Sequence, residues 1–487
     1  MTDGKQKNMT RRDFMTSCAA SAAFLAAPGL YAGPGARLRF GLLSDAHVVT
    51  KPNPNAIQCC LTFEPALRYF ESRKADAVLC CGDLTDFGTP TSLRRVGEIW
   101  DRVFPGGRRS DGAPVVNLFH FGDHDMGGYA HKYGWGPEES EDPAELKTPI
   151  CDVDYAKLYE ECFHLPFAPI MVRDVKGYRF LLANHPPHSK ATACGCRIPG
   201  LAEFLAKNAP AGDRPFFYSQ HRIPRGTLLD DELECCDIGE TAKALEKYPN
   251  AIAFCGHGHK NCADERSLWQ GAFTALHVPS INYCTTRPGY QNGYSKGDGS
   301  IEDFDKWNMP RANIFRAQQG LFATVYADRM VVERRDFHNG LPLGPDWVIP
   351  LPKANGRVSW AARAKTAGVP QFPKGAAVTV TEDRGKNRAK REFDRIGLRF
   401  PVVHAAGRTL RAAYYEVTAT AGEKEIFRRK VLAPGIFWAD EKDKGPVEFF
   451  CAWTDIPEDL REKTVFSVRP MNDFGKGGRP IVCKLKG

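Results

Sequence analysis

Between Arg37 and about residue 355 the chain alternates short apolar runs with stretches of helical period. RLRFGLLSD, ADAVLCCGD, APVVNLFHFGD, RPFFYSQH and AIAFCGHGH are runs of strand length, each closed by a polar cluster. Continuous hydrophobicity of that length predicts strands buried on both faces. Phe63–Lys74, Ser92–Val103 and Thr241–Lys247 read as helices between them. The pattern predicts a layered α/β unit whose polar residues gather at strand C-terminal ends, the edge where such folds bind ligands. GLFATVYADRMVVERRDF then switches to period-two alternation around Asp328-Arg329, which predicts an antiparallel hairpin. Beyond Pro352 the texture changes again. AAVTVTED, TLRAAYYEVTATAG, VEFFCAWT and TVFSVRPMNDFG are strand-like with few helix signals, so residues 357–487 suit a β-sandwich of immunoglobulin size.

The N-terminus has a different grammar. Lys5, Lys7, Arg11 and Arg12 precede a modest apolar stretch from Phe14 to Leu25, broken by Pro28 and Gly29, with small residues near Ala32. That is a signal peptide, and Arg11-Arg12 followed by Asp13-Phe14-Met15 resembles the twin-arginine type. The stretch is shorter than the roughly 20 apolar residues of a membrane span. Residues 1–32 are therefore read as an export signal handled by the twin-arginine machinery, with the mature protein periplasmic or extracellular and without a membrane span. Residues 37–355 and 357–487 are read as its two domains.

Composition narrows the classes further. With 487 residues, 43% hydrophobic and 25% charged, the chain is too long for one ordinary core and too mixed for wholesale disorder. A net charge of +8 against 66 basic and 58 acidic residues is a solvated surface, with no nucleic-acid-binding footprint. Losing residues 1–32 would leave +6. Cys59-Cys60, Cys80-Cys81 and Cys235-Cys236 lack the spacing of a zinc ribbon. Cys80, Cys81 and Cys255 read as small buried hydrophobes, and surface cysteines as free to oxidise after export.

Five fragments carry candidate chemistry: Asp45-Ala46-His47, Gly82-Asp83-Leu84-Thr85-Asp86, Gly122-Asp123-His124-Asp125, Gln220-His221-Arg222 and Gly256-His257-Gly258-His259. Carboxylate and imidazole are the hard and borderline donors that transition metals favour. Asp45 with His47, and His257 with His259, sit two apart at strand ends, so each pair can face one side. Gly82, Gly122 and Gly256 permit tight turns and close approach of substrate or metal to the backbone.

This ordered set resembles the calcineurin-like metallophosphoesterase superfamily, with its DxH, GDxxD, GNH[DE], lone His and GHxH blocks, over roughly Arg37 to Pro352. The resemblance implies a four-layer α/β/β/α sandwich, here followed by an all-β immunoglobulin/fibronectin-like sandwich. It also implies two divalent or trivalent transition-metal ions, Mn, Fe or Zn. Asp45, His47 and His259 would hold one, Asp123, His221 and His257 the other, and Asp83 would bridge them. A hydroxide between the metals would attack phosphorus, and His124 would serve the leaving oxygen.

The chain departs from the family in the third block, where Asp123 stands in place of the usual Asn. The added charge should favour a harder ion and weaken attraction for a polyanionic substrate. Asp86 occupies the position of the tyrosine ligand of purple iron relatives, so a tyrosinate–iron centre is not expected. Asp86 and Asp125 have two readings, orienting the histidines or capping helices. Arg222 could bind a phosphate oxygen or form a solvent-facing salt bridge. His188 and Arg287 are further substrate-contact candidates. Tyr290, Tyr294 and Trp307 join Arg287 in a Gly-rich stretch that could wall a cleft or pack on the C-terminal domain. Residues 126–149 form a second candidate cleft insertion, and His120 reads as a packed core histidine. The functional expectation is a phosphoester hydrolase, and the GDLTD string resembles the cyclic-nucleotide phosphodiesterase branch, which implies a phosphodiesterase. The alternatives are a phosphomonoesterase acting on a nucleotide or sugar phosphate, or a decayed hydrolase supporting a glycan-binding or adhesive module.

Overall fold

A computed structural model describes residues 35–50, 61–126, 153–187, 197–229, 236–286, 289–292, 316–352, 356–386, 392–403, 411–434 and 445–485. The expected strands form as β1 (Leu38–Leu43), β2 (Ala77–Cys81), β3 (Val116–His120), β6 (Phe216–Ser219) and β7 (Ala251–Cys255). The hairpin forms as β10 (Gln319–Val325) and β11 (Arg329–Asp336), antiparallel as the alternation demands. The helices settle at Phe63–Ser72, Pro90–Val103 and Glu240–Leu245.

Two mixed sheets result. One runs β12 (Leu341–Pro342), β11, β10, β1, β2, β3, with β13 (Trp347–Pro350) also pairing β11. The other runs β4 (Ile170–Val175), β5 (Tyr178–Ala183), β6, β7, β9 (Thr274–His277), β8 (Leu268–Gln270). Within them β1, β2 and β3 are parallel, as are β5, β6, β7 and β9. Parallel strands are buried on both faces, and alternate residues show it. Phe40 of β1 meets Phe180, Phe217 and Phe254 of the second sheet, at ring separations of 5.5, 5.2 and 5.9 Å. Its neighbour Gly41 points the other way, where a Cβ would lie 2.3 Å from the Phe70 ring of the first helix. In the second sheet Phe217 and Phe254 face inward, while Phe216, Tyr218 and Ala253 pack outward in one cluster with Leu201, Leu205 and Leu245 of the outer helices. The layers therefore run helix, sheet, sheet, helix.

The described strands of the C-terminal region all pair antiparallel. A three-stranded sheet, β14 (Thr379–Lys386), β15 (Glu392–Phe400), β18 (Val447–Ala452), shares one core with a four-stranded sheet, β17 (Lys424–Leu432), β16 (Tyr414–Ala421), β19 (Thr464–Met471), β20 (Ile481–Lys484). Leu398, Phe449 and Cys451 come from the first, and Val417, Val431, Phe466 and Val468 from the second.

The two units are tied at several points. Gln291 donates its backbone N–H to Lys430 O and exchanges side-chain hydrogen bonds with both backbone groups of Phe450, so it spans the edge strands β17 and β18. Asn292 does the same with Leu432. Tyr290 is buried against Tyr414, 5.5 Å between rings. Helix Trp360–Thr366 touches both sides, Arg363 pairing with Glu265 and Trp360 packing on Phe474. Cys80, Cys81, Cys236 and Cys255 are buried free thiols; Cys59, Cys60 and Cys235 lie outside the described residues. No described helix is long and apolar enough to cross a membrane. The twin-arginine segment lies outside the described residues.

Candidate metal centre

Every residue of the five blocks leaves the C-terminal end of a parallel strand, three from one sheet and two from the other. Asp45 and His47 follow β1, Asp83 follows β2, Asp123 follows β3, His221 follows β6, and His257 and His259 follow β7. Five of these seven take left-handed backbone: Asp45 (φ 53°), His47 (47°), Asp83 (50°), His257 (65°) and His259 (49°). For residues with a Cβ this costs of order 1–3 kcal/mol each and persists only where surroundings enforce it. The enforcement is a backbone zipper between loops. Asp45 N–H donates to Gly82 O and His47 N–H to Asp83 O, at 3.1 and 3.0 Å, while Gly256 N–H reaches His221 O at 2.8 Å. The glycines serve this zipper rather than a substrate. A Cβ on Gly122 would sit 2.2 Å from Asp83 Oδ1, and one on Gly256 would sit 1.7 Å from Ser44 Oγ.

The side chains converge in two groups that share an edge. In one, His259 Nε2 lies 3.2 Å from both Asp45 Oδ1 and His47 Nε2. In the other, His221 Nε2 lies 2.9 Å from Asp123 Oδ1 and 3.0 Å from Asp83 Oδ2. His257 Nδ1 is 3.1 Å from the same Asp123 oxygen and 3.2 Å from His221 Nε2. Asp83 faces both groups, its Oδ2 also lying 3.8 Å from His47 Nε2. Around an ion with bonds of ~2.0–2.1 Å, neighbouring donors stand about 2.9–3.4 Å apart.

The tautomers sharpen the picture. His221 Nδ1 is 2.7 Å from Cys81 O, and His259 Nδ1 is 3.2 Å from Tyr283 O. A carbonyl only accepts, so both Nδ1 atoms carry hydrogen. His47 Nδ1 likewise donates to Asp86 Oδ1 at 2.9 Å. In neutral rings the Nε2 lone pairs of His47, His221 and His259 then face one another or carboxylate oxygens. Among the described residues Asp123 Oδ1 is buried with no hydrogen-bond partner. Acceptors packed against acceptors need positive charge between them, and the borderline nitrogen and hard oxygen donors fit transition-metal ions.

Electrostatics agree. Burial pushes the carboxyls of Asp45 and Asp123 up, but neighbouring histidines outweigh it and hold both well below the usual range. Asp83 is lowered in the same way, burial opposed chiefly by His221. Three anionic carboxylates thus share a buried cluster. His124 stands beside them. Its Nδ1 is 2.8 Å from Asp86 O and its Nε2 3.9 Å from Asp83 Oδ2. Burial lowers its pKa, yet Asp83, Asp86 and Asp123 overcome that and push it up to about 10.

The remaining sequence candidates sort themselves by contact. Asp86 orients His47 and caps nothing; Thr89 caps the following helix. Asp125 does neither of the two jobs considered for it. Its carboxylate accepts from the N–H groups of Leu84, Thr85 and Gly122 and from Thr85 Oγ1, binding the second block to the third. Arg222 turns inward, its Nη2 3.3 Å from Asp123 Oδ2 and its side chain 17% exposed, so the solvent-facing bridge is not what forms. His120 is buried with Nε2 on Ser219 Oγ at 2.7 Å, a packed core residue. His185, buried after β5, places Nδ1 on Pro186 O. Tyr290 joins the C-terminal unit instead of walling a cleft. His188, Arg287, Tyr294, Trp307 and residues 127–149 lie outside the described residues. Tyr283, unremarked in the sequence, supplies the carbonyl for His259 and covers its ring at 4.3 Å. A backbone carbonyl leaves no signal in spacing.

Solved structures similar to the chain include three. They are a dimetal phosphatase from Danio rerio (11% identity, 65% of this chain and 99% of that one, TM-score 0.35), a conserved protein given as a predicted phosphoesterase from Streptococcus pneumoniae (13%, 64% and 97%, 0.26), and Vacuolar Protein Sorting 29 from Cryptosporidium parvum (11%, 64% and 97%, 0.27). No curated protein matches the chain. Residues 38–261 match the family described as Calcineurin-like phosphoesterase, a span that contains every donor named above. The chain therefore carries a calcineurin-like phosphoesterase domain, the domain of a phosphoester hydrolase.

Proposed function

We propose that Asp45, His47 and His259 hold one transition-metal ion, that Asp123, His221 and His257 hold a second, and that Asp83 bridges them. The observation that carries this reading is the set of lone pairs turned on one another, above all His47 Nε2 against His259 Nε2 at 3.2 Å. Bound there, Mn, Fe or Zn ions would supply Lewis-acid stabilisation of charge developing on a phosphoryl group. The protein's own residues do the rest. Cys81 O, Asp86 and Tyr283 O fix the imidazoles in the donor tautomer. His124 keeps a proton on Nε2, because Asp86 O fixes Nδ1 and the nearby carboxylates favour the cation. It is then placed to protonate a leaving oxygen.

The reaction we assign is hydrolysis of a phosphodiester, supported by the GDLTD string at Gly82–Asp86. The wider reading has three parts: a twin-arginine export signal at residues 1–32, a catalytic domain at 37–355, and an immunoglobulin- or fibronectin-like domain at 357–487. The protein would then act in the periplasm or outside the cell. The common core of the two C-terminal sheets supports the last part.

The test is a panel of mono- and diester substrates on metal-loaded protein, with His124→Ala beside the wild type. General-acid catalysis is worth ~10²–10⁴-fold, so the variant should lose that much on an alkyl ester. It should lose markedly less on a nitrophenyl ester, whose anion leaves unaided, with metal content unchanged. Equal losses on both esters would remove the proton-donor role. Preference for monoesters would replace the diesterase assignment.

A further inference from the structure

We infer that Arg222 is the counter-charge that lets Asp123 serve as a ligand where the family pattern has a neutral amide, and so sets the affinity of the second ion. The inference rests on the two-ion reading above.

An asparagine offers one carbonyl oxygen and no charge. An aspartate in its place offers two oxygens and a negative charge, and free to rotate it could grip an ion with both. Here the two oxygens have separate employment. Oδ1 faces His221 Nε2 and His257 Nδ1 at 2.9 and 3.1 Å, on the donor side. Oδ2 is engaged by Arg222 Nη2 at 3.3 Å. The pair therefore presents one oxygen toward the ion and carries no net charge, as an amide would. That revises the expectation from sequence that Asp123 adds uncompensated charge to the centre.

The pair is inward and held from behind. Asp123 and Arg222 side chains are 11% and 17% exposed, so water screens them poorly. The Arg222 backbone is pinned, since Gln220 Nε2 donates to its carbonyl at 2.7 Å and also to Asp237 Oδ2 at 3.0 Å. Asp237 in turn accepts from Arg225 N–H at 3.0 Å. Arg222 thus has its charge fixed over Asp123 by the same short loop that delivers His221.

The two residues should consequently fail to act independently on metal binding. The experiment measures the dissociation constant of the second ion, with Mn or Zn against a chromophoric chelator, in wild type, Asp123→Asn, Arg222→Met and the double variant. Asp123→Asn alone removes the carboxylate that faces the Arg222 guanidinium and should weaken the ion about 10–100-fold, the usual scale for disturbing a ligand's outer partner. Adding Arg222→Met to Asp123→Asn should recover most of that loss. The inference is overturned if Arg222→Met changes affinity by the same factor in both backgrounds. It is equally overturned if Arg222→Met leaves metal affinity alone and weakens only inorganic phosphate, the mark of a substrate contact. Thermal melting checks folding, and Arg222→Gln repeats the cycle should the methionine variants not fold. Wild-type protein that takes up fewer than two ions would refute the two-ion reading itself, a result separate from a failed cycle.

Discussion

The two halves of the donor cluster reach the same chemistry by different construction. The Asp45–His47–His259 half is made entirely from left-handed residues. Its imidazoles are oriented by a carboxylate, Asp86, and by the Tyr283 carbonyl. In the Asp123–His221–His257 half only His257 is left-handed, His221 is steered by Cys81 O, and Arg222 balances the carboxylate. One half concentrates its cost in backbone conformation, while the other answers its buried carboxylate with a guanidinium. The difference follows from position. Asp45 lies at the centre of the cluster, wholly buried and accepting from His257 N–H at 3.1 Å. Asp123 lies at the rim, where a long guanidinium can reach it from the neighbouring loop. Central and peripheral donors of one cluster need different supports.

The largest expected effect erases the comparison. Asp83 faces both halves, so Asp83→Ala should take bound metal from two ions per chain to nearly none, read by elemental analysis. Retention of one full ion would mean that the halves are independent and that the bridge is misassigned. A smaller change should separate the halves. Asp86→Ala removes the carboxylate that orients His47, and loss of such partners typically costs 10–100-fold in metal affinity. That loss should fall on the first ion and spare the second in a stepwise chelator titration. Equal weakening of both would deny the separate supports described here.

The last prediction concerns a histidine just behind the first half. His277, at the end of β9, is wholly buried, and neither ring nitrogen has a hydrogen-bond partner among the described residues. Burial, though opposed by Asp45, pushes its pKa down to about 3. Between that value and the ~6.5 of an unfolded histidine, the unfolded chain binds a proton that the folded chain refuses. Stability contributed by the neutral ring is therefore full above pH 6.5 and falls as the pH drops toward 3. His277→Leu should stabilise the protein by about 1–3 kcal/mol at pH 7, since it removes an unpaired buried polar group. It should also spare it about 2 kcal/mol of the further loss at pH 5. Urea unfolding at pH 7 and pH 5 measures both. A destabilised variant would show that the ring makes a favourable contact that leucine cannot replace.

Much of the fold was legible because strand propensity and burial are local. The runs at Leu38–Leu43, Ala77–Cys81 and Ala251–Cys255 are apolar throughout, and only strands buried on both faces tolerate that. The hairpin β4–β5 and strands β15 and β17 were not legible, and their residues show why. In EFDRIGLRF, Glu392 and Asp394 share the parity of the core residues Ile396 and Leu398, and in KEIFRRKVL Arg429 shares that of Val431, so charge interrupts the apolar alternation.

The donors themselves were written in the chain: which residues are carboxylate or imidazole, their order, and their position after strands. Tertiary structure alone decided what each donor's other side touches. His47 meets His259 across 212 residues of sequence, His221 meets Cys81 O across 140, and Arg222 meets Asp123 across 99. A ligand's identity is a property of one residue. Its tautomer, its charge balance and its backbone strain are properties of the loops that close around it, and only packing two sheets face to face brings those loops together.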